Sequence, residues 1–175
     1  MAKQGSLPAG MQNGMGELWA RIRFVILAII VYRIGTHIPV PGMNPEALER
    51  LFDQNQGTIL EMFNMFSGGA LERMSILALG IMPYISASII MQLLTAVSPQ
   101  LEQLKKEGEA GRRKITQYTR YGTVLLATLQ AFGVSAGLAS QGVTFSTGPD
   151  FYIAAIPSFV AGAVFMMWLG EQVTE

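Results

Sequence analysis

The chain has 175 residues, half of them hydrophobic, with 12 basic and 12 acidic side chains and a formal net charge of zero. Charged residues make up 14% of it, against roughly 25% in an ordinary soluble domain, which speaks against a soluble globular fold. The absence of cysteine excludes disulfides and thiolate metal sites, and the zero net charge carries no information about partners.

The shortage of charge is organised along the chain. No Asp, Glu, Lys or Arg occurs between Arg73 and Glu102, between Arg120 and Asp150, or between Asp150 and Glu171. Each interval has room for the roughly 20 apolar helical residues that cross about 30 Å of hydrocarbon. A buried helix of a soluble protein is the competing reading for any one of them, but three in so short a chain argue for a membrane protein.

In chain order, residues 1–16 are aperiodic and contain Gly, Gln and Ser, which predicts a flexible tail or interfacial arm. A first span is expected at about 20–38. Its apolar run "FVILAIIVY" lies between Arg23 and Arg33 and is too short alone. It lengthens through Ile38 if Arg33 snorkels to the interface or turns toward a protein interior. A secretory signal peptide competes, but "GTHIPVPG" follows in place of a small-x-small cleavage site, and Pro39 and Pro41 end the helix.

The external segment 39–74 contains "NPEALERLFDQNQ", with Asn44 as N-cap and Pro45 at the first helical position. The spacing of Leu48, Leu51 and Phe52 predicts a helix lying along a surface. After it comes "MFNMFSGGALERM", too short and too quickly interrupted by Gly and charge to cross a bilayer. A second span is expected at about 75–97, where Pro83 removes a backbone N–H and predicts a kink or local opening. The isoleucines at 81, 85 and 89 recur every four residues and share a face; on periodicity alone, packing against lipid or a neighbouring helix is the simpler explanation. A polar loop, 98–118, leads to a third span at about 119–138, and a loop free of Lys and Arg, 139–150, leads to a fourth at about 152–170.

Lys3, Arg21 and Arg23 precede the first span, and Lys105, Lys106, Arg112, Arg113 and Lys114 crowd loop 98–118. Basic residues bias loops to the cytoplasmic side, so both termini are expected there. The acids Glu102, Glu107 and Glu109 weaken any nucleic-acid reading of the basic loop, and a topology signal explains it better than contact with partners or anionic lipid. Transporters and pumps place ionisable groups at membrane depth, and spans two to four have none. His37 falls beside the first loop's prolines, which favours a structural role. Ser86 and Ser88 have no G-x-S-x-G setting for an intramembrane serine protease. With Gln130 they are uncharged groups able to hydrogen-bond between helices. No enzyme activity, cofactor or metal is expected.

The stretch "GTILEMFNMFSGGALERMSILALGIMPYISASIIMQLL" closely resembles the corresponding region of the bacterial SecY family of protein-conducting channels. So do "RIGTHIPVPG", "EGEAGRRKITQYTRYGT" and "MWLGEQVTE", and the resemblance runs in order from about residue 17. It implies an all-α polytopic membrane fold of ten helices in two halves, of which this chain would supply four spans and a short re-entrant plug helix at about 58–73. Family sequences continue beyond "GEQVTE", so the chain is expected to be the N-terminal part, residues 17–175, of a longer protein.

By the same resemblance, Met62, Phe63, Asn64, Met65, Phe66, Ser67, Gly68 and Gly69 form the plug, which folds into the channel from the external side. Ile81 and Ile85 belong to an apolar pore ring, and Ser86, Ile89 and Gln130 lie at a lateral gate. The implied function is passage of unfolded preproteins across the inner membrane, with hydrophobic segments released sideways into lipid. The implied partners are the SecE and SecG subunits, the SecA motor ATPase, the translating ribosome and preprotein signal sequences. The alternative, from another class, is a small four-helix scaffold or assembly factor complete at this length.

Overall fold

The computed structural model describes residues 9–55 and 57–174, and for residues 9–14, 60 and 63 the backbone alone. Seven helices occur among them: α1 (Ala9–Gly35), α2 (Pro45–Gln54), α3 (Ile59–Phe66), α4 (Met82–Val97), α5 (Pro99–Lys106), α6 (Glu109–Ser140) and α7 (Pro149–Thr174). Two isolated bridges, Pro39 to Ser75 and Met43 to Thr144, are the extended pairing present among the described residues.

Helix α1 reaches back to Ala9, so residues 9–16, expected as an aperiodic tail, are helical; residues 1–8 lie outside the described ones. Phe24, Val25, Ile26, Leu27, Ile29 and Ile30 are all at least 40% exposed. Apolar side chains left uncovered around most of a helix need a non-aqueous surrounding, from lipid or from further protein. Helix α2 starts as its sequence dictates. The Asn44 side chain accepts from the Glu46 and Ala47 N–H groups at 3.1 and 3.4 Å, Pro45 sits in the first turn, and Leu48 is buried.

The interval expected to be one helix at 75–97 divides in two. Residues 75–81 form turns, and α4 begins at Met82. The expected kink at Pro83 is realised as a helix start, because a residue without an N–H loses nothing in a first turn. The turns are tied to the segment after α1: Val40 N–H donates to Met74 O at 2.9 Å and Ile76 N–H to Ile38 O at 3.0 Å. The loop expected at 98–118 is also largely helical. Ser98 both ends α4 and precedes α5, the chain bends there by 100°, and a Lys106–Glu102 pair at 2.8 Å supports the short α5.

Helices α6 and α7 form an antiparallel hairpin. Near one end, Ala131 and Leu138 pack with Phe151, Ala155 and Phe159. Val40, Met43, Leu48, Met74 and Val143 complete that core from the loops and α2. At the other end Arg120 donates through Nε and Nη2 to the two carboxylate oxygens of Glu171, at 3.1 and 2.7 Å. Helix α4 lies against α6 through small residues: Pro83, Ala87 and Thr95 are buried on one side, Thr119, Thr123 and Ala127 on the other. Gly162 marks a close approach, since a Cβ there would run into the Ile76 carbonyl. The backbone of α7 thereby abuts the turns that precede α4.

Among the described residues, α6 and α7 are long and apolar enough to cross a membrane, and α4 with α5 makes a third span if the bent pair is one crossing. In α1, Arg23 and Arg33 still bracket the apolar run. The protein is an all-α, multi-pass membrane protein.

Candidate pore-lining site

Ile81 occupies the residue before α4 and Ile85 lies one turn on, its N–H donating to the Ile81 carbonyl at 3.0 Å. Their spacing stacks the two side chains on one face, 42% and 40% exposed. They open onto a cavity of about 760 Å³ lined also by Tyr32, Phe66, Ser67, Leu71, Leu79, Met82 and Met166. None of the lining residues is ionised at neutral pH. Such a wall gives water and ions few groups to bind, and a narrow passage bounded by it would favour dewetting.

Phe66 and Ser67 bring the end of α3 into this same cavity. Of the described apolar side chains of α3, Ile59, Met62, Met65 and Phe66 are 71%, 60%, 79% and 84% exposed; those of Leu60 and Phe63 lie outside the described ones. Polar bonds hold the segment that follows. Asn64 accepts from Glu72 N–H through Oδ1 and donates to the Glu72 carboxylate through Nδ2, both at 3.0 Å. Its carbonyl accepts from Ser67 Oγ and Gly69 N–H. Gly68 and Gly69 have φ of +63° and +82°, a region that L side chains resist, and through them the chain reverses.

The last turns of α1 grip this reversal. Tyr32 Oη donates to the Ser67 carbonyl at 2.7 Å and Arg33 Nη1 to the Gly68 carbonyl at 2.8 Å. Of the two destinations open to Arg33, the interface or a protein interior, the side chain takes a protein carbonyl. His37 Nδ1 lies 2.7 Å from the Arg33 carbonyl. That oxygen can only accept, so Nδ1 carries the proton and Nε2 accepts from Arg73 Nη1 at 3.1 Å.

Ser86 and Ile89 lie on α4 and Gln130 on α6. Ile89 is 52% exposed and follows Ile81 and Ile85 along their face, away from the Pro83, Ala87 and Thr95 stripe that meets α6. Ser86 and Gln130 are half-buried on α4 and α6, the two helices that pack together. Tyr32 and Arg73 had no assigned role from sequence, and Asn64 was named only as one residue of the plug. Their partners are carbonyls, a backbone N–H, a histidine and a carboxylate, in several cases dozens of residues away, and no local pattern encodes such pairings.

The family model described as SecY matches residues 75–175. A Pseudomonas aeruginosa protein named protein translocase subunit SecY is 74% identical over 175 residues, covering 100% of this chain and 40% of the relative. Proteins of the same name from Escherichia coli and Haemophilus influenzae are each 58% identical over 100% of this chain, covering 41% and 40% of their own lengths. The chain thus spans about two fifths of the curated relatives it matches.

Proposed function

The chain belongs to the SecY family, and on that premise we propose that it supplies the first part of a protein-conducting channel, with α3 as the plug and Ile81 and Ile85 as its share of the pore ring. The observation that carries this reading is the uncharged cavity in which the end of α3 meets both isoleucines. Unfolded preproteins would cross through the completed pore, and hydrophobic segments would leave sideways through a gate of which α4 and α6, with Ser86, Ile89 and Gln130, form one side. The relatives' names do not favour the small scaffold.

In this proposal four spans cross the bacterial inner membrane: the part of α1 near 20–38, the turns and helix of 75–97, and the central parts of α6 and α7. The basic corner of α5 and α6 lies in the cytoplasm together with the N-terminus, consistent with the bias of Lys and Arg. Helix α6, 32 residues long, extends about 48 Å at 1.5 Å per residue, which leaves its charged first turns beyond the hydrocarbon. The SecE and SecG subunits complete the complex, and the SecA motor or the translating ribosome supplies the energy. The chain itself makes and breaks no bonds.

Removal of residues 62–69 from the full-length protein in its complex tests the plug assignment. Reconstituted in vesicles, the resting complex should conduct more ions while still translocating preprotein. An unchanged resting conductance would count against it.

A further inference from the structure

The segment from Ser67 to Arg73 is held at its start by the last turns of α1 and at its end by the turn that follows that helix. At its start, two successive side chains of α1, Tyr32 and Arg33, donate to two successive carbonyls, those of Ser67 and Gly68. Both carbonyls lie just past Phe66, the last residue of α3, at the end where a helix dipole is negative, so a hydroxyl and a guanidinium are well matched to them. At the segment's far end Arg73 donates to His37, which is itself fixed by its bond to the Arg33 carbonyl. The described α3 side chains Met62, Met65 and Phe66 are largely exposed, while these polar bonds and the Asn64–Glu72 pairing tie the segment that follows α3 to α1 and back to α3 itself.

We propose that Tyr32, Arg33 and His37 form a latch for the plug, positioning residues that hold its hinge against the end of α1. The proposal rests on reading α3 as a plug. Plug displacement then begins by breaking directed bonds to backbone carbonyls, and the strength of those bonds sets how often the resting channel opens unprompted. Carbonyl acceptors make the latch indifferent to the identity of the hinge side chains, whereas it depends on the donors of α1.

The test uses the full-length protein in its complex, reconstituted in vesicles, with resting ion conductance as the readout. The Tyr32→Phe and Arg33→Gln double variant is expected to raise conductance on the order of tenfold, the population change that loss of two ordinary hydrogen bonds produces. Arg33→Lys, which keeps a cationic donor, should recover part of the seal. Tyr32→Phe alone removes a single oxygen, leaves the helix packing intact and should raise conductance by a smaller factor, which keeps the test decisive if the double variant fails to assemble. In a protein already lacking residues 62–69 the same substitutions should add nothing, because their acceptors are gone; a general packing defect would add to the deletion. If the deletion raises conductance and the substitutions do not, the latch is overturned and the plug reading stands. If the deletion is silent, the plug reading fails and takes the latch with it. Substitutions that raise conductance equally with and without the plug also overturn the latch.

Discussion

Asn64 and Gly162 show how single residues set the geometry around the cavity. Asn64 bonds Glu72 through both ends of its amide, closing the loop that carries the glycine reversal. Gly162 lets the backbone of α7 press against the Ile76 carbonyl, so the turns before α4, and hence Ile81, are positioned by direct main-chain approach. A methyl group there has no flexible side chain to displace. Gly162→Ala should therefore destabilise the protein by roughly 1–3 kcal/mol, the usual range for overpacking a closed contact, read as a lower thermal midpoint in detergent. A midpoint equal to wild type would mean that the approach is not that close. The residue's role was invisible in the sequence, where Gly162 is one small residue within a long apolar helix.

The elements divide according to whether their determinants are local. Helix α2 was legible because Asn44, Pro45 and the Leu48–Leu51–Phe52 spacing are all its own. Asn44→Ala should weaken it by about 1 kcal/mol and expose the edge of the core that Leu48 fills, seen as faster amide exchange in α2 with α6 and α7 unaffected. Equal exchange in both proteins would show that core packing alone holds the helix. Helices α6 and α7 were legible from their charge-free intervals, and the Pro83 signal was legible as a break though not as a beginning. The helical corner at α5 was missed: polar composition suggested a loop, while Pro99 and the Glu102–Lys106 pair at 2.8 Å favour a short helix. The polar grip on α3 was missed for another reason. Its donors lie 35 residues from their acceptors, and those acceptors are main-chain carbonyls, which any sequence provides.

In the whole molecule, two kinds of interaction divide the work. Small-residue seams and the core near Phe159 make a packed scaffold of α4, α6 and α7, while the segment after α3 is tied to α1 by hydrogen bonds and the described apolar side chains Met62, Met65 and Phe66 of α3 are largely exposed. If α3 is the plug we propose, a tether of this kind lets it move without unfolding its support. On the proposed reading, the barrier depends on the uncharged lining to which Ile81 and Ile85 contribute, with side chains that yield to a passing chain by changing rotamer. The most direct test is the resting ion conductance of the full-length complex carrying Ile81→Gly together with Ile85→Gly. Widening and wetting the constriction should raise conductance several-fold above wild type, even with the plug segment intact. Conductance indistinguishable from wild type, with preprotein export also unaltered, would contradict the account.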